Sequence, residues 1–196
     1  MTPRSSAGGL CLAAVFALIA TTVGADPRPW GVGTHLVFAG EELSGHSERG
    51  SGSVMPWLAL QRPVNRTLWL RAEMGYRVSA ASGYHSTTVP LGIGFRWADV
   101  TTNGVGAYLE FYPSLFAYHL DRAPVAVFTG EPPPTQIDRV VPGLMTGFGF
   151  YLRASSSVSM TYGLRFFRSA EIADDLGSLQ YAGFQVGIDW RPAFER

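Results

Sequence analysis

Few residues of this chain are equipped for chemistry, and most of those are ruled out by spacing. His35, His46, His85 and His119 match no compact ligand motif, so no metal is expected and they read as solvated surface side chains. The one cysteine, Cys11, lies in an apolar stretch near the N-terminus, preceded by Gly8, Gly9 and Leu10 rather than by a lipoprotein signal. No G-x-S-x-G elbow, P-loop, H-E-x-x-H or complete G-x-G-x-x-G is present, and no cofactor is expected. What remains is charge. Arg71, Glu73, Arg77, Arg96, Glu110, Arg165 and Asp189 fall on the polar side of alternating segments. An isolated charge removed from water is costly, so seven that share an enclosed space must pair. Glu73 and Glu110 are expected to accept hydrogen bonds from Arg71, Arg77 and Arg165.

The elements that would position these charges follow from composition and period. The chain has 196 residues, 46% of them hydrophobic and only 15% charged, against roughly 25% charged in an ordinary soluble domain. Disorder is excluded, and something other than water is expected to cover part of the surface. Zero net charge with no basic run excludes a nucleic-acid partner. Residues 1–25 read as a secretory signal, with Arg4 as the positive region, Leu10 to Ala20 as the apolar core and Val23-Gly24-Ala25 as the cleavage site. The mature chain, residues 26–196, then contains no cysteine and no disulfide.

Alternation with a period of two dominates that mature chain. In 67–78 the even positions are Leu68, Leu70, Ala72, Met74, Tyr76 and Val78, while the odd positions include Arg71, Glu73 and Arg77. Segments 86–97, 157–166 and 181–190 repeat the pattern, and Gly92, Gly94, Gly147 and Gly149 read as small inward-facing strand positions. With 30–39, 53–62, 104–119 and 139–152 this makes eight strands. Connections 40–52, 120–138 and 167–180 are long and 79–85 is medium, whereas 63–66, 98–103 and 153–156 are short. Long loops at one rim and short turns at the other predict an all-β, eight-stranded antiparallel transmembrane β-barrel in the bacterial outer membrane, with both termini on the periplasmic side. The Pro132-Pro133-Pro134 run fits a loop tip, and the sequon Asn65-Arg66-Thr67 falls on a periplasmic turn. Trp30, Trp97 and Trp190 fall on the apolar face at the short-turn rim, and Phe38, Tyr76 and Phe166 on the same face near the other, as two halves of an aromatic girdle. The seven charges then line the lumen and close it with a carboxylate-guanidinium network; a gated ion path through them is the alternative.

These features resemble the small eight-stranded outer-membrane barrels of the OmpA/OmpX type. The stretch 181–190 is similar to the final-strand signal read by the barrel-insertion machinery, although Arg191 to Arg196 follow its last aromatic. A weaker resemblance, most specific from Val141 to Trp190, is to the lipid A 3-O-deacylase barrels, whose seventh strand ends near a His-x-Ser-Asn motif with an acid early in the eighth. That resemblance implies Ser169 as nucleophile. Phe167 stands where its histidine belongs, Ala170 replaces the asparagine and Gln180 the acid, so a base would have to be His35, the nearest histidine by topology. The expected function is therefore non-enzymatic, a structural or surface-interaction role carried by the loops of a monomer in contact with outer-membrane lipid and lipopolysaccharide. The loops' ligand is unknown. The rivals are a lipid A deacylase-like hydrolase and a soluble secreted barrel binding an apolar ligand.

Overall fold

The computed structural model describes residues 30–43, 53–81, 84–100, 104–122, 136–173 and 177–190. The signal segment, His46, the Pro132-Pro133-Pro134 run and the tail after Trp190 lie outside them. Nine strand segments are present among the described residues: β1 (Gly31–Leu43), β2 (Ser53–Pro63), β3 (Leu68–Gly75), β4 (Arg77–Ala81), β5 (Tyr84–Val100), β6 (Val105–Arg122), β7 (Gln136–Arg153), β8 (Val158–Ala173) and β9 (Gly177–Trp190). β3 and β4 are two parts of one span, since both pair with β5. Each span pairs antiparallel with its neighbours, and β1 closes on β9 through Val32↔Trp190 to Leu43↔Leu179, so the sheet is an eight-span closed barrel without an edge.

The break at Tyr76 has a local cause. Tyr76 donates its backbone N–H to the Pro56 carbonyl at 3.1 Å. Proline has no N–H with which to return the bond. On the other flank the pairings Met74↔Leu91 and Arg77↔Thr88 set Pro90 opposite Gly75, a second rung without a donor.

Two of the short turns are closed by the same device. The Asn65 carboxamide oxygen accepts from the N–H groups of Thr67 at 2.9 Å and Leu68 at 2.8 Å. The Ser155 hydroxyl accepts from those of Ser157 at 3.2 Å and Val158 at 3.0 Å. Such side chains stand in for a missing backbone partner in tight turns. Asn65 is thus a turn-forming residue.

Strands run further than the hydrophobic pattern predicts. β8 continues to Ala173 and β9 begins at Gly177, so most of 167–180 is ladder rather than loop; 79–85 is likewise largely β4 and β5. Trp30 precedes β1 instead of opening it. Beyond the lipid band the outward positions turn polar, as at Arg168, and the alternation that marks a strand fades. Backbone pairing needs no such alternation, and it persists.

Side-chain parity decides the environment. Outward positions carry exposed Leu36, Leu58, Leu109, Phe111, Phe148, Phe150 and Phe184, with Phe150 65% exposed, while Arg71, Glu73, Arg96, Glu110, Arg165 and Asp189 are at most 3% exposed inside. A soluble barrel has the opposite polarity, so the secreted apolar-ligand barrel is excluded. Trp97, Trp190, Phe38, Tyr76 and Phe166 all point outward. Trp30 is half-buried, its ring centroid 6.0 Å from the Arg62 guanidinium.

A closed barrel with an apolar exterior requires detergent for extraction. The folded protein is expected to migrate faster on a gel before boiling than after it, because a sheet without edges resists unfolding by detergent at room temperature. Recovery of the mature chain as a detergent-free soluble monomer would overturn the membrane assignment.

Candidate functional site

The barrel interior at mid-height is a closed ring of alternating charge. Arg71 Nε pairs with Glu73 Oε1, and Glu73 Oε2 with Arg165 Nη1 at 2.7 Å. Arg165 Nη2 donates to Glu110 Oε2 at 2.7 Å, and Arg96 Nε to Glu110 Oε1 at 2.5 Å. Arg96 Nη1 then pairs with Asp189 Oδ2, and Arg71 Nη1 closes the circuit on Asp189 Oδ1 at 3.0 Å. Three arginines face three acids, and each acid contacts two arginines. The members come from β3, β5, β6, β8 and β9, so the ring ties together strands that the backbone ladder leaves apart.

Strands without a ring member adapt to it. β1 contributes His35, whose ring nitrogens lie 2.8 and 3.1 Å from Arg71 Nη2, with Nε2 3.4 Å from Asp189 Oδ1. β2 contributes Gln61, whose Oε1 accepts from Arg71 Nη1 at 2.9 Å. β1 and β9 also contribute space: a side chain at Gly33 would collide with Asp189, and one at Gly187 with the His35 ring. Tyr112 donates its hydroxyl to Glu73 Oε1 at 3.2 Å.

An aromatic layer lies on the long-loop side of the ring. The Arg165 guanidinium sits 5.0 Å from the Trp57 ring centroid and 5.7 Å from that of Tyr112. Trp57 stacks on Phe167 at 5.4 Å, and Phe167 meets Tyr181 edge-on at 5.9 Å. Val37, Met55, Phe116, Met145 and Leu179 belong to the same apolar cluster. On the other side Arg96 lies 4.8 Å from the Tyr108 ring.

Arg77 is inward but stands apart from the ring. It is four residues beyond Glu73 along the span, roughly 13 Å at the usual strand rise, and the aromatic layer comes between. Its guanidinium donates to Tyr181 Oη at 2.7 Å and Ser53 Oγ at 2.5 Å, and lies 4.4 Å from the Tyr181 ring centroid. The expected bond from Arg77 to Glu73 or Glu110 is replaced by Arg96, which stands directly across from Glu110 in the β5–β6 register.

His35 is likewise corrected, from a solvated side chain to one buried inside the barrel. Ser169 is also inward and buried, but its hydroxyl donates to the Ala170 carbonyl at 2.7 Å and accepts from Leu179 N–H at 3.0 Å. Those bonds lie where the β8–β9 register shifts between Arg168 and Glu171, so the serine serves the backbone of a bulge. Along β9 eight residues separate Leu179, which Ser169 holds, from Gly187, which faces His35; at the usual rise that is roughly 26 Å. The serine and His35 are not brought together. Phe167, in the place of the family's histidine, packs in the aromatic layer. His119 pairs with Asp138 at 2.6 Å on the exposed long-loop rim, and among the described residues no group of three or more His, Cys, Asp or Glu is placed to hold a metal.

Replacing Glu73 by Ala leaves Arg71 and Arg165 each short of one carboxylate in a dry interior. The expected cost is about 3–5 kcal/mol, read from urea unfolding in micelles. A change under about 0.5 kcal/mol, the size seen at exposed sites, would show that the ring carries no weight.

No protein-family model matches this chain, and no curated protein matches it. Solved structures do. Neisserial surface protein A (NspA) aligns over 83% of this chain and 96% of its own with a TM-score of 0.68 at 14% identity. Ail, the attachment invasion locus protein of Yersinia pestis, aligns over 83% and 97% with a TM-score of 0.54 at 9% identity. The fold of this chain is that of the small eight-stranded outer-membrane β-barrels.

Proposed function

We propose that this protein is a non-enzymatic, plugged barrel of the outer membrane whose working surface is its long-loop rim. The observation that carries this reading is the filled cross-section, in which the charge ring and the aromatic layer above it occupy the lumen from wall to wall. Eight strands enclose a space that side chains can fill, and here they fill it with paired charges and close-packed rings. No ion path through the charges fits that packing. A hydrolase fits no better, because the Ser169 hydroxyl is taken up by a bulge and His35 by the ring. Insertion through the final strand and an outward surface of lipid follow from the apolar side chains of Phe184, Ile188 and Trp190.

The test is to compare host cells bearing the full protein with cells in which residues 44–52 and 123–135 are replaced by short Gly-Ser connectors. Both proteins should keep the gel shift on heating, both should leave lipid A masses unchanged, and any adherence conferred on the cells should vanish with the loops. Loss of one lipid A acyl chain that disappears in Ser169→Ala would instead establish an enzyme. Steady single-channel conductance in a planar bilayer would establish a pore.

A further inference from the structure

The outer wall of the barrel is not uniformly covered. A cavity of about 460 Å³ opens on it between β7, β8, β9 and β1. That is within the roughly 300–1,000 Å³ range of small-molecule sites. Two neighbouring rungs build it, as the register shows. In the lower rung Thr146 pairs with Phe166, Phe166 with Ala182, and Ala182 with Gly40; in the upper, Leu144 pairs with Arg168 and Arg168 with Gln180. Gly40 and Ala182 leave the wall thin beside the projecting Phe166, and a side chain at Gly40 would meet nothing within 4 Å. The groove is therefore a gap in the apolar belt.

Its height sets what fills it. From Val158, level with Trp190 at the short-turn girdle, to Phe166 is eight residues. At about 3.3 Å per residue and a tilt near 40°, Phe166 lies roughly 20 Å above that girdle and Arg168 roughly 25 Å above it. The apolar band of such barrels is about 25 Å tall, so the groove lies in the outer leaflet and Arg168 at its polar border. Arg168 is exposed and outward, while Leu144, Pro142 and Val140 continue the outward surface on the adjoining strand. Ala170, the next outward position above Arg168 on β8, and the exposed Glu171 after it do not line the groove.

We propose that this groove binds one acyl chain of a phosphorylated outer-leaflet lipid, with the lipid's phosphate held by Arg168 beside Gln180. The chemistry is that of lipid A, several acyl chains on a phosphate-bearing sugar. An acyl chain covers the surface that Gly40 and Ala182 expose. The guanidinium suits a phosphate because it donates two parallel hydrogen bonds to it. The inference rests on the barrel's place in the membrane and not on what the loops bind, so the two fail separately.

Native mass spectrometry of the micelle-purified protein, titrated with diphosphoryl lipid A, reads the site directly. The wild-type barrel is expected to retain one lipid A. Arg168→Gln should weaken retention about tenfold, the size of one charge-assisted contact, and Arg168→Lys should restore much of it. Gly40→Leu, which has room to fold, should abolish retention by filling the groove. Phe95→Leu on β5, across the barrel from β9, should change nothing, and the gel shift on heating should show every variant folded. Equal retention of lipid A stripped of phosphate, equal loss in Phe95→Leu, wild-type binding by Arg168→Gln and Gly40→Leu, or a mass of two protein copies joined at this face would each overturn the proposal.

Discussion

The closed circuit of six charges is the constraint from which the interior is built. A single ion pair buried at mid-height would be a poor stabiliser, because removing both ions from water costs about what their attraction returns. The circuit changes that balance by giving each carboxylate two guanidinium partners and each guanidinium two carboxylates, with zero net charge. No member can be repositioned alone. Sliding one strand by a single residue would turn its inward set outward and put an arginine or an acid into lipid. The ring therefore acts on register more than on net stability, and it does so between β3, β6 and β9, which share no ladder.

The packing on either side of the ring follows from that choice. Guanidinium groups have flat faces that their in-plane carboxylates leave free, and aromatic rings lie against them: Trp57 and Tyr112 against Arg165, Tyr108 against Arg96. The aromatics in turn recruit Phe167 and Tyr181, and Tyr181 holds Arg77 near the long-loop end. Layers of charge and aromatic ring thus succeed one another along the axis. Close approach is arranged by glycines on the wall, so that a barrel of eight spans holds side chains as large as arginine and tryptophan.

Parity was fully legible in the sequence, and distance along the axis was not. A period of two assigns each residue to one face, which is why all seven charges point inward and Phe38, Tyr76, Trp97, Phe166 and Trp190 point outward. Which charges meet depends on the stagger between strands, and alternation carries no record of stagger. Arg77 and Arg96 are equivalent by parity; only the register that sets Arg96 across from Glu110 and lifts Arg77 to the level of Tyr181 separates them. His35 shows the same limit: nearness to a loop sets it with the other three histidines, whereas its odd number between Gly33 and Val37, both inward, sets it inside. Alternation does not single out Trp57, and it marks Phe167 only as standing in a histidine's place, because aromatic residues on the wet face run against the pattern; the signal that finds them is a need for flat partners beside buried arginines.

A filled lumen also fixes where such a protein meets its surroundings. With the interior occupied by the charge ring and the aromatic layer, chemistry directed at the outside has only the rims and the outer wall. The short-turn rim is spent on closing turns through Asn65 and Ser155. Near the opposite rim the β8–β9 ladder departs from its regular register just above Arg168, a bulge that Ser169 stabilises by bonding Leu179 and Ala170. Bulges re-aim the side chains around them, and this one borders the groove floored by Gly40 and Ala182. The serine that resembles a nucleophile by position thus supports, from inside the wall, the segment that displays a cation to the membrane surface outside it.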